Sequence, residues 1–291
     1  MKLLYGGFAT QEDLDREYNV EKSVPDFGIY VTHFLGHSAV ARESTPHMAD
    51  VPYGPTKAET ANVFPAAEPG SPVLVFVHGG YWKALTAHVF DMVAPGPVAA
   101  GYAVVNVTYA LCPAVTITEI VRQVRAAIAW TFRHAASFNG DPNRIYLAGH
   151  SAGGHLTAMA VLTDWAEDYG LPEDVVKAAM PISGLFDLSP FPMSFVQPQL
   201  RLSAEEVQRV SPILHIRPSA VPLVVAWGAA ETNEFQRQSK DFLAAWLAAG
   251  NAGAALAIPE ANHFEVLDGF MTADGLMTRR LDALRTQVEA A

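Results

Sequence analysis

Residues 144–162 read RIYLAGHSAGGHLTAMAVL, a stretch in which a strand turns into a helix around a serine. Arg144 to Ala148 is short, apolar and β-branched, as a buried strand requires, and Ala152 to Leu162 is rich in the helix formers Ala, Leu and Met. Between them Gly149-His150-Ser151-Ala152-Gly153 has the pattern G-x-S-x-G. A bare pentapeptide of this kind is often no more than a Gly- and Ser-rich turn. Flanked by strand and helix, it holds Ser151 on a tight, strained turn in which Gly149 and Gly153 leave room for neighbouring backbone. The helix start also offers free N–H groups and a positive dipole end, so the Ala152 N–H is placed to hold a developing oxyanion beside Ser151.

Outward from this turn the chain keeps alternating. Val73–Val77, Ala103–Val107, Ile145–Ala148, Ala178–Ser183, Pro222–Trp227 and Ala254–Ile258 read as short buried strands, with helices over 117–136, 234–249 and most of 264–289. Short apolar strands separated by helices predict an α/β architecture: a mostly parallel central sheet with right-handed crossovers and helices on both faces. Residues 48–64 read as a hairpin whose first strand Pro52 and Pro55 confine to an edge. Residues 1–45 read as an N-terminal arm, with helical pieces around Glu12–Tyr18 and Ile29–Arg42 and aromatics that pack on a core.

Residues 185–212 break the rhythm, with prolines at 190, 192, 198 and 212 and phenylalanines at 186, 191 and 195. Ser203 and Glu206 form a capping-box pattern opening a short helix that ends at Ser211-Pro212. This cap-like insertion follows a strand, and it is expected to roof a site within a single domain spanning residues 1–291.

Composition narrows the function classes. Half of the 291 residues are apolar and 17% are charged, which fits a folded globular chain with a sizeable core. The net charge of −11, without a basic run, argues against a nucleic-acid partner and against an anionic membrane surface. Cys112 is the only cysteine, so no intrachain disulfide forms. The opening residues turn polar by Thr10-Gln11-Glu12-Asp13, too early for a secretory leader, and a cytoplasmic location is expected.

A serine hydroxyl attacks only if a histidine takes its proton and an acid orients that histidine. His263, in Pro259-Glu-Ala-Asn-His263-Phe264, lies between the last strand and the C-terminal helix, in the hydrolase order serine, acid, histidine. Glu231 follows the strand ending at Trp227 and is the chosen acid, with Asp187 as rival; Glu234 reads as a helix N-terminal acid without chemistry. His33 and His37 share a helical spacing but lack the glutamate of a zinc-protease helix, so no metal or cofactor is expected. His78-Gly79-Gly80-Tyr81-Trp82 directly follows a strand and brings backbone N–H groups toward Ser151, a second source of oxyanion donors beside the Ala152 N–H. Tyr81, Trp82, Phe186, Phe191 and Phe195 are candidates for seating an aromatic substrate, with core packing as the alternative for each.

These motifs together resemble the kynurenine formamidase (arylformamidase) family of α/β-hydrolases. The resemblance rests on His78-Gly-Gly-Tyr-Trp82, Gly149-His-Ser-Ala-Gly153, Glu234-Phe-Gln-Arg-Gln-Ser239, Asp50-Val-Pro-Tyr-Gly54 and Asn262-His-Phe264, and so covers most of the chain. It implies the α/β-hydrolase fold, Ser151 as nucleophile, Glu231 as acid where many relatives have Asp, His263 as base, and Gly80, Tyr81 and Ala152 as the backbone N–H donors of the oxyanion hole. It also implies hydrolysis of an aryl formamide such as N-formylkynurenine to the amine and formate, a step of tryptophan catabolism. A carboxylesterase or an aryl amidase or carbamate hydrolase would share every one of these residues. A non-catalytic binding module on the same fold is the remaining class. The expected partner is a small aromatic amide or ester; a homodimer is compatible with the chain, whose sequence leaves the oligomeric state open.

Overall fold

In the computed structural model, which describes residues 3–290, the alternating apolar runs pair into one eight-stranded sheet. The arm carries α1 (Gln11–Tyr18) and α2 (Phe27–Ser44), and the hairpin is β1 (Met48–Pro52) with β2 (Thr60–Phe64). There follow β3 (Ser71–Val77), α3 (Pro95–Ala99), β4 (Ala103–Val107), α4 (Ile117–His134), β5 (Gly140–His150), α5 (Ala152–Val161), α6 (Trp165–Tyr169) and β6 (Val176–Ile182). The chain then runs through α7 (Gln197–Leu200), α8 (Ala204–Arg209), β7 (Leu223–Gly228), α9 (Asn233–Ala248), β8 (Gly253–Ile258) and α10 (Leu276–Glu289).

The strand order is β1-β2-β4-β3-β5-β6-β7-β8. β1, β2 and β4 pair antiparallel, and every pair from β4 to β8 is parallel. β3 and β4 are buried along their whole length, as strands covered by helices on both faces must be. β1 is an edge, and an irregularity in its register beside Asp50, whose φ is 53°, blunts it further.

Three local readings change. The expected helix over 264–289 is split: a 3-10 segment covers Glu265–Phe270, and α10 begins only after Gly275. A Cβ at Gly275 would lie 2.2 Å from the Gly269 carbonyl oxygen, so this corner closes on backbone. The capping box is half made: Ser203 Oγ accepts the Glu206 N–H at 3.1 Å, while the Glu206 carboxylate instead accepts the Thr118 N–H across to α4. The helix it opens stops at Arg209, and a separate 3-10 turn runs from Pro212 to His215.

Register places the site. Val77 pairs with Gly149, His150 with Ile182, Ile182 with Ala226, and Gly228 with Ile258, so β3, β5, β6, β7 and β8 end at one edge. The loops that leave this edge carry His78 to Trp82, Ser151, Ser183, Glu231 and His263. Ligands of parallel sheets gather at such carboxyl ends. The tightest point is Gly153, where a Cβ would sit 1.9 Å from the Val77 carbonyl oxygen. Gly153→Ala is expected to lower stability by about 3 kcal/mol or more, because neither backbone can retreat without breaking the β3–β5 ladder. A denaturant midpoint unchanged from that of the unsubstituted protein would contradict this contact.

Candidate active site

Ser151 caps α5 with φ 58° and ψ −119°, a left-handed conformation that costs energy for a side-chain-bearing residue. The surroundings enforce it: the Ser151 N–H donates to the Ile182 carbonyl at 2.8 Å, and Gly149 and Gly153 meet with no room for a Cβ on either. Next to it the turn after β3 runs through Gly80, Tyr81 and Trp82, all at positive φ, with Gly79 packed against the backbone of His150 and Cβ of Ser151. The N–H groups of Gly80, Tyr81 and Ala152 have no acceptor among the described residues. They are free donors of the kind an oxyanion requires.

Glu231 is buried and fully engaged. Its Oε1 accepts the Ser183 hydroxyl at 2.5 Å and the Gly228 N–H at 2.6 Å, and its Oε2 accepts Nδ1–H of His263 at 2.9 Å. Charge-assisted bonds of this kind offset the cost of keeping a carboxylate away from water. They also fix the imidazole: with its proton on Nδ1, His263 keeps Nε2 as a base. Asp187, the rival acid, lies elsewhere, accepting the Tyr5 hydroxyl at 3.0 Å. Glu234 ties α9 to α1 through the Tyr18 hydroxyl at 2.7 Å.

Two participants have no signal in the sequence. Ser183, itself at φ 48°, orients Glu231 from the end of β6. His150, next to the serine, donates its Nε2–H to the His263 carbonyl at 2.8 Å, and its ring lies 4.6 Å from the His263 ring. Burial, with His263 adjacent, holds the His150 imidazole well below its ordinary value, so it packs as a neutral ring.

Ser151 and His263 open onto a cavity of about 270 Å³ that Gly80, Tyr81 and His150 also line. One wall is α2, through Phe27, Tyr30, Val31, Phe34 and Leu35; Phe90 and Phe264 supply further aromatic surface. This corrects the expected substrate contacts. Of the five aromatics proposed, only Tyr81 lines the cavity. Phe186 is fully buried and stacks on Phe242 at 4.2 Å, and Phe191 is buried among Tyr18, Tyr81 and Trp82. Phe195 packs edge-on against Tyr81, and Trp82 is buried with its indole N–H given to His155 Nδ1 at 3.1 Å. The 185–212 insertion buries Phe186 and Phe191 in the body and packs the half-buried Phe195 against it, and the arm supplies the wall.

α2 is bound to the loop that carries His263. Tyr30 stacks on Phe264 at 4.9 Å, donates to Glu265 at 3.1 Å and accepts from Asn262 at 2.7 Å; His33 meets Asp268 at 2.9 Å. At its other end Ser38 donates to the Val89 carbonyl at 2.8 Å and Arg42 to Asp91 at 2.8 Å.

Sheet, elbow, glycine turn and acid–imidazole pair define an α/β-hydrolase. The BD-FAE family model matches residues 63–247. The kynurenine formamidase of Danio rerio is 30% identical over 285 residues, spanning 94% of this chain and 95% of its own. Esterase LipQ of Mycobacterium tuberculosis is 31% identical over 279 residues, 82% of this chain and 66% of its own. A crystal structure from Silicibacter sp. TM1040, described as a candidate thioesterase, superposes with a TM-score of 0.82 at 27% identity, covering 93% of this chain and 99% of that one. The chain belongs to the kynurenine formamidase family of α/β-hydrolases, in agreement with its motifs. No helix among the described residues is long and apolar enough to cross a membrane.

Glu231→Gln is expected to lower kcat about 10³- to 10⁴-fold, because an amide donates to Nδ1 and drives His263 into the tautomer that cannot accept a proton. Ser183→Ala, which removes one bond to the carboxylate, is expected to cost roughly tenfold. Steady-state hydrolysis of p-nitrophenyl acetate measures both; full activity in Glu231→Gln would exclude the acid assignment.

Acid should also unfold this site early. His78 stacks on Tyr109 at 4.2 Å and His155 sits between Trp82 and the Val210 carbonyl; burial pushes each imidazole down to about 4 from 6.5. The unfolded chain therefore takes up protons first, so the stability these groups contribute is complete above pH 6.5 and fades as pH falls toward 4. By pH 5 the loss is about 2 kcal/mol for each. Urea midpoints at pH 7 and pH 5 measure it, and equal midpoints would rule the effect out.

Proposed function

We propose that the protein hydrolyses an aryl formamide of the N-formylkynurenine type, by acyl transfer through Ser151. The observation that carries this is the lining of the cavity: Ser151 and His263 share a space of about 270 Å³ with Phe27, Tyr30, Phe34, Tyr81, Phe90 and Phe264. In the first step Ser151 Oγ attacks the formyl carbon while His263 Nε2 takes its proton. The oxygen that becomes negative is held by N–H groups of Gly80, Tyr81 and Ala152. His263 then returns the proton to the departing anilide nitrogen, the C–N bond breaks, and the formyl group stays on Ser151. Water, deprotonated by His263, attacks the formyl ester, and formate leaves as Ser151 recovers its proton. The acyl side needs space for hydrogen only; the leaving side must hold a ring, for which Tyr30, Phe34, Phe90 and Phe264 are suited.

The similarity to Esterase LipQ keeps a carboxylesterase as the second reading, since ester cleavage uses the same groups. Wild-type protein is expected to favour N-formylkynurenine over p-nitrophenyl acetate in kcat/KM, with Ser151→Ala inactive on both and unlabelled by a fluorophosphonate. A preference for the ester by several orders of magnitude assigns the protein to the esterases instead. Labelling of Ser151→Ala equal to wild type removes the nucleophile assignment.

A further inference from the structure

The cavity beside Ser151 is lined mostly by apolar side chains. Apart from its two histidines, the charged residues that line it are Glu21 and Lys83 alone. Neither joins an ion pair or a side-chain hydrogen bond with another described residue. Lys83 is half-buried, Glu21 exposed. An ammonium partly withdrawn from water against aliphatic and aromatic surface is poorly compensated, and an arriving anion would relieve it.

Both charges stand on elements fixed to the oxyanion turn. Lys83 follows Trp82 directly, and its amide donates to the Gly80 carbonyl at 3.1 Å, closing the turn that presents the Gly80 and Tyr81 N–H groups. Glu21 lies in the 3-10 turn Val20–Lys22 that follows α1. The Tyr81 hydroxyl donates to the Tyr18 carbonyl, holding the end of α1 against the same turn. Burial and, after it, the Glu21 carboxylate push the Tyr81 phenol well above its ordinary range. One positive and one negative group therefore line the same cavity as Ser151, each on a backbone segment tied to the turn that carries Tyr81.

We propose that Lys83 and Glu21 bind the α-amino acid end of the substrate, Lys83 taking its carboxylate and Glu21 its ammonium, while the ring lies in the apolar cavity with its formamide at Ser151. This inference rests on the formamidase reading, because an N-formylkynurenine carries a zwitterionic amino acid on the arm ortho to its formamide. With a net charge of −11 the protein as a whole repels a carboxylate, so recognition of that group needs a local cation. Lys83 supplies it. Simple aryl esters and formanilides lack the zwitterion and use only the ring seat.

Three substrates with one scissile bond separate the contributions: N-formylkynurenine, its analogue without the α-amine, and ortho-formamidoacetophenone, which lacks both charges. Lys83→Met is expected to reduce the kcat/KM preference for N-formylkynurenine over ortho-formamidoacetophenone by about 10- to 100-fold, mostly through KM, and to reduce the preference for the amine-free analogue similarly. Glu21→Gln, at the more exposed position, is expected to reduce the preference for N-formylkynurenine about 3- to 10-fold and to leave that for the amine-free analogue unmoved. Equal losses on all three substrates in Lys83→Met, or no change in any ratio, overturn the clamp and leave the formamidase reading standing. Wild-type protein that cleaves p-nitrophenyl acetate but none of the three formamides overturns that reading, and the clamp falls with it.

Discussion

Everything at the site depends on how closely the start of α5 approaches the end of β3. The approach is possible because Gly153 has no side chain: a Cβ there would fall 1.9 Å from the Val77 carbonyl oxygen, and one at Gly149 would fall 2.3 Å from that of Gly153. Contact at this distance brings the positive end of α5 beside the turn His78 to Trp82, whose amides converge on the space next to Ser151. The same contact forces Ser151 to φ 58°, since the chain must reverse within one residue. The strained Ser151 and the free N–H groups beside it are thus products of one steric constraint. Strain at Ser151 is balanced by the ladder bonds of β5 and by the Ser151 N–H bond to Ile182.

Buried histidines hold the second layer in place. His155 accepts from Trp82 and donates to the Val210 carbonyl, joining the glycine turn to α5 and to the far side of the insertion. His78 lies flat on Tyr109, whose hydroxyl donates back to the His78 carbonyl at 2.9 Å. His150 supports His263 from beneath. Each ring serves as a neutral, planar donor, which an interior can accommodate far more cheaply than an imidazolium.

Much of this was legible in the chain. Ser151, Glu231 and His263 stand out because each follows a short apolar strand, and parallel strands must end at a common edge; counting strands therefore locates the loops. The hairpin, the long helices and the sheet followed from period and composition in the same way. The pocket wall was not legible. Phe186, Phe191 and Phe195 looked suited to a roof because they follow a strand in a proline-rich stretch, yet an apolar ring near a sheet end is satisfied equally by core, and these rings face Phe242, Tyr18 and Tyr81. α2 gave no clear period because it is apolar on more than one side: Phe34 and Ala41 are buried while Ile29, Leu35 and Val40 are exposed. Ser183 was equally silent, since one serine after a strand carries no pattern until the Glu231 carboxylate is seen beside it.

Ester and anilide hydrolysis demand the same nucleophile, base and oxyanion donors, so the carboxyl edge of the sheet cannot distinguish between them. Discrimination falls to the wall that faces it. α2 is attached at one end to Phe264, Glu265 and Asp268, next to His263, and at the other to Val89 and Asp91, next to the cavity floor at Phe90. Tyr30 and Phe34, which line the cavity, belong to a helix that shares hydrogen bonds with the loop carrying His263. Under the formamidase reading, the seat of the ring and the loop that carries His263 share these contacts. In the proposed reading, discrimination in this chain rests on the N-terminal arm, while the chemistry rests on the loops at the sheet edge.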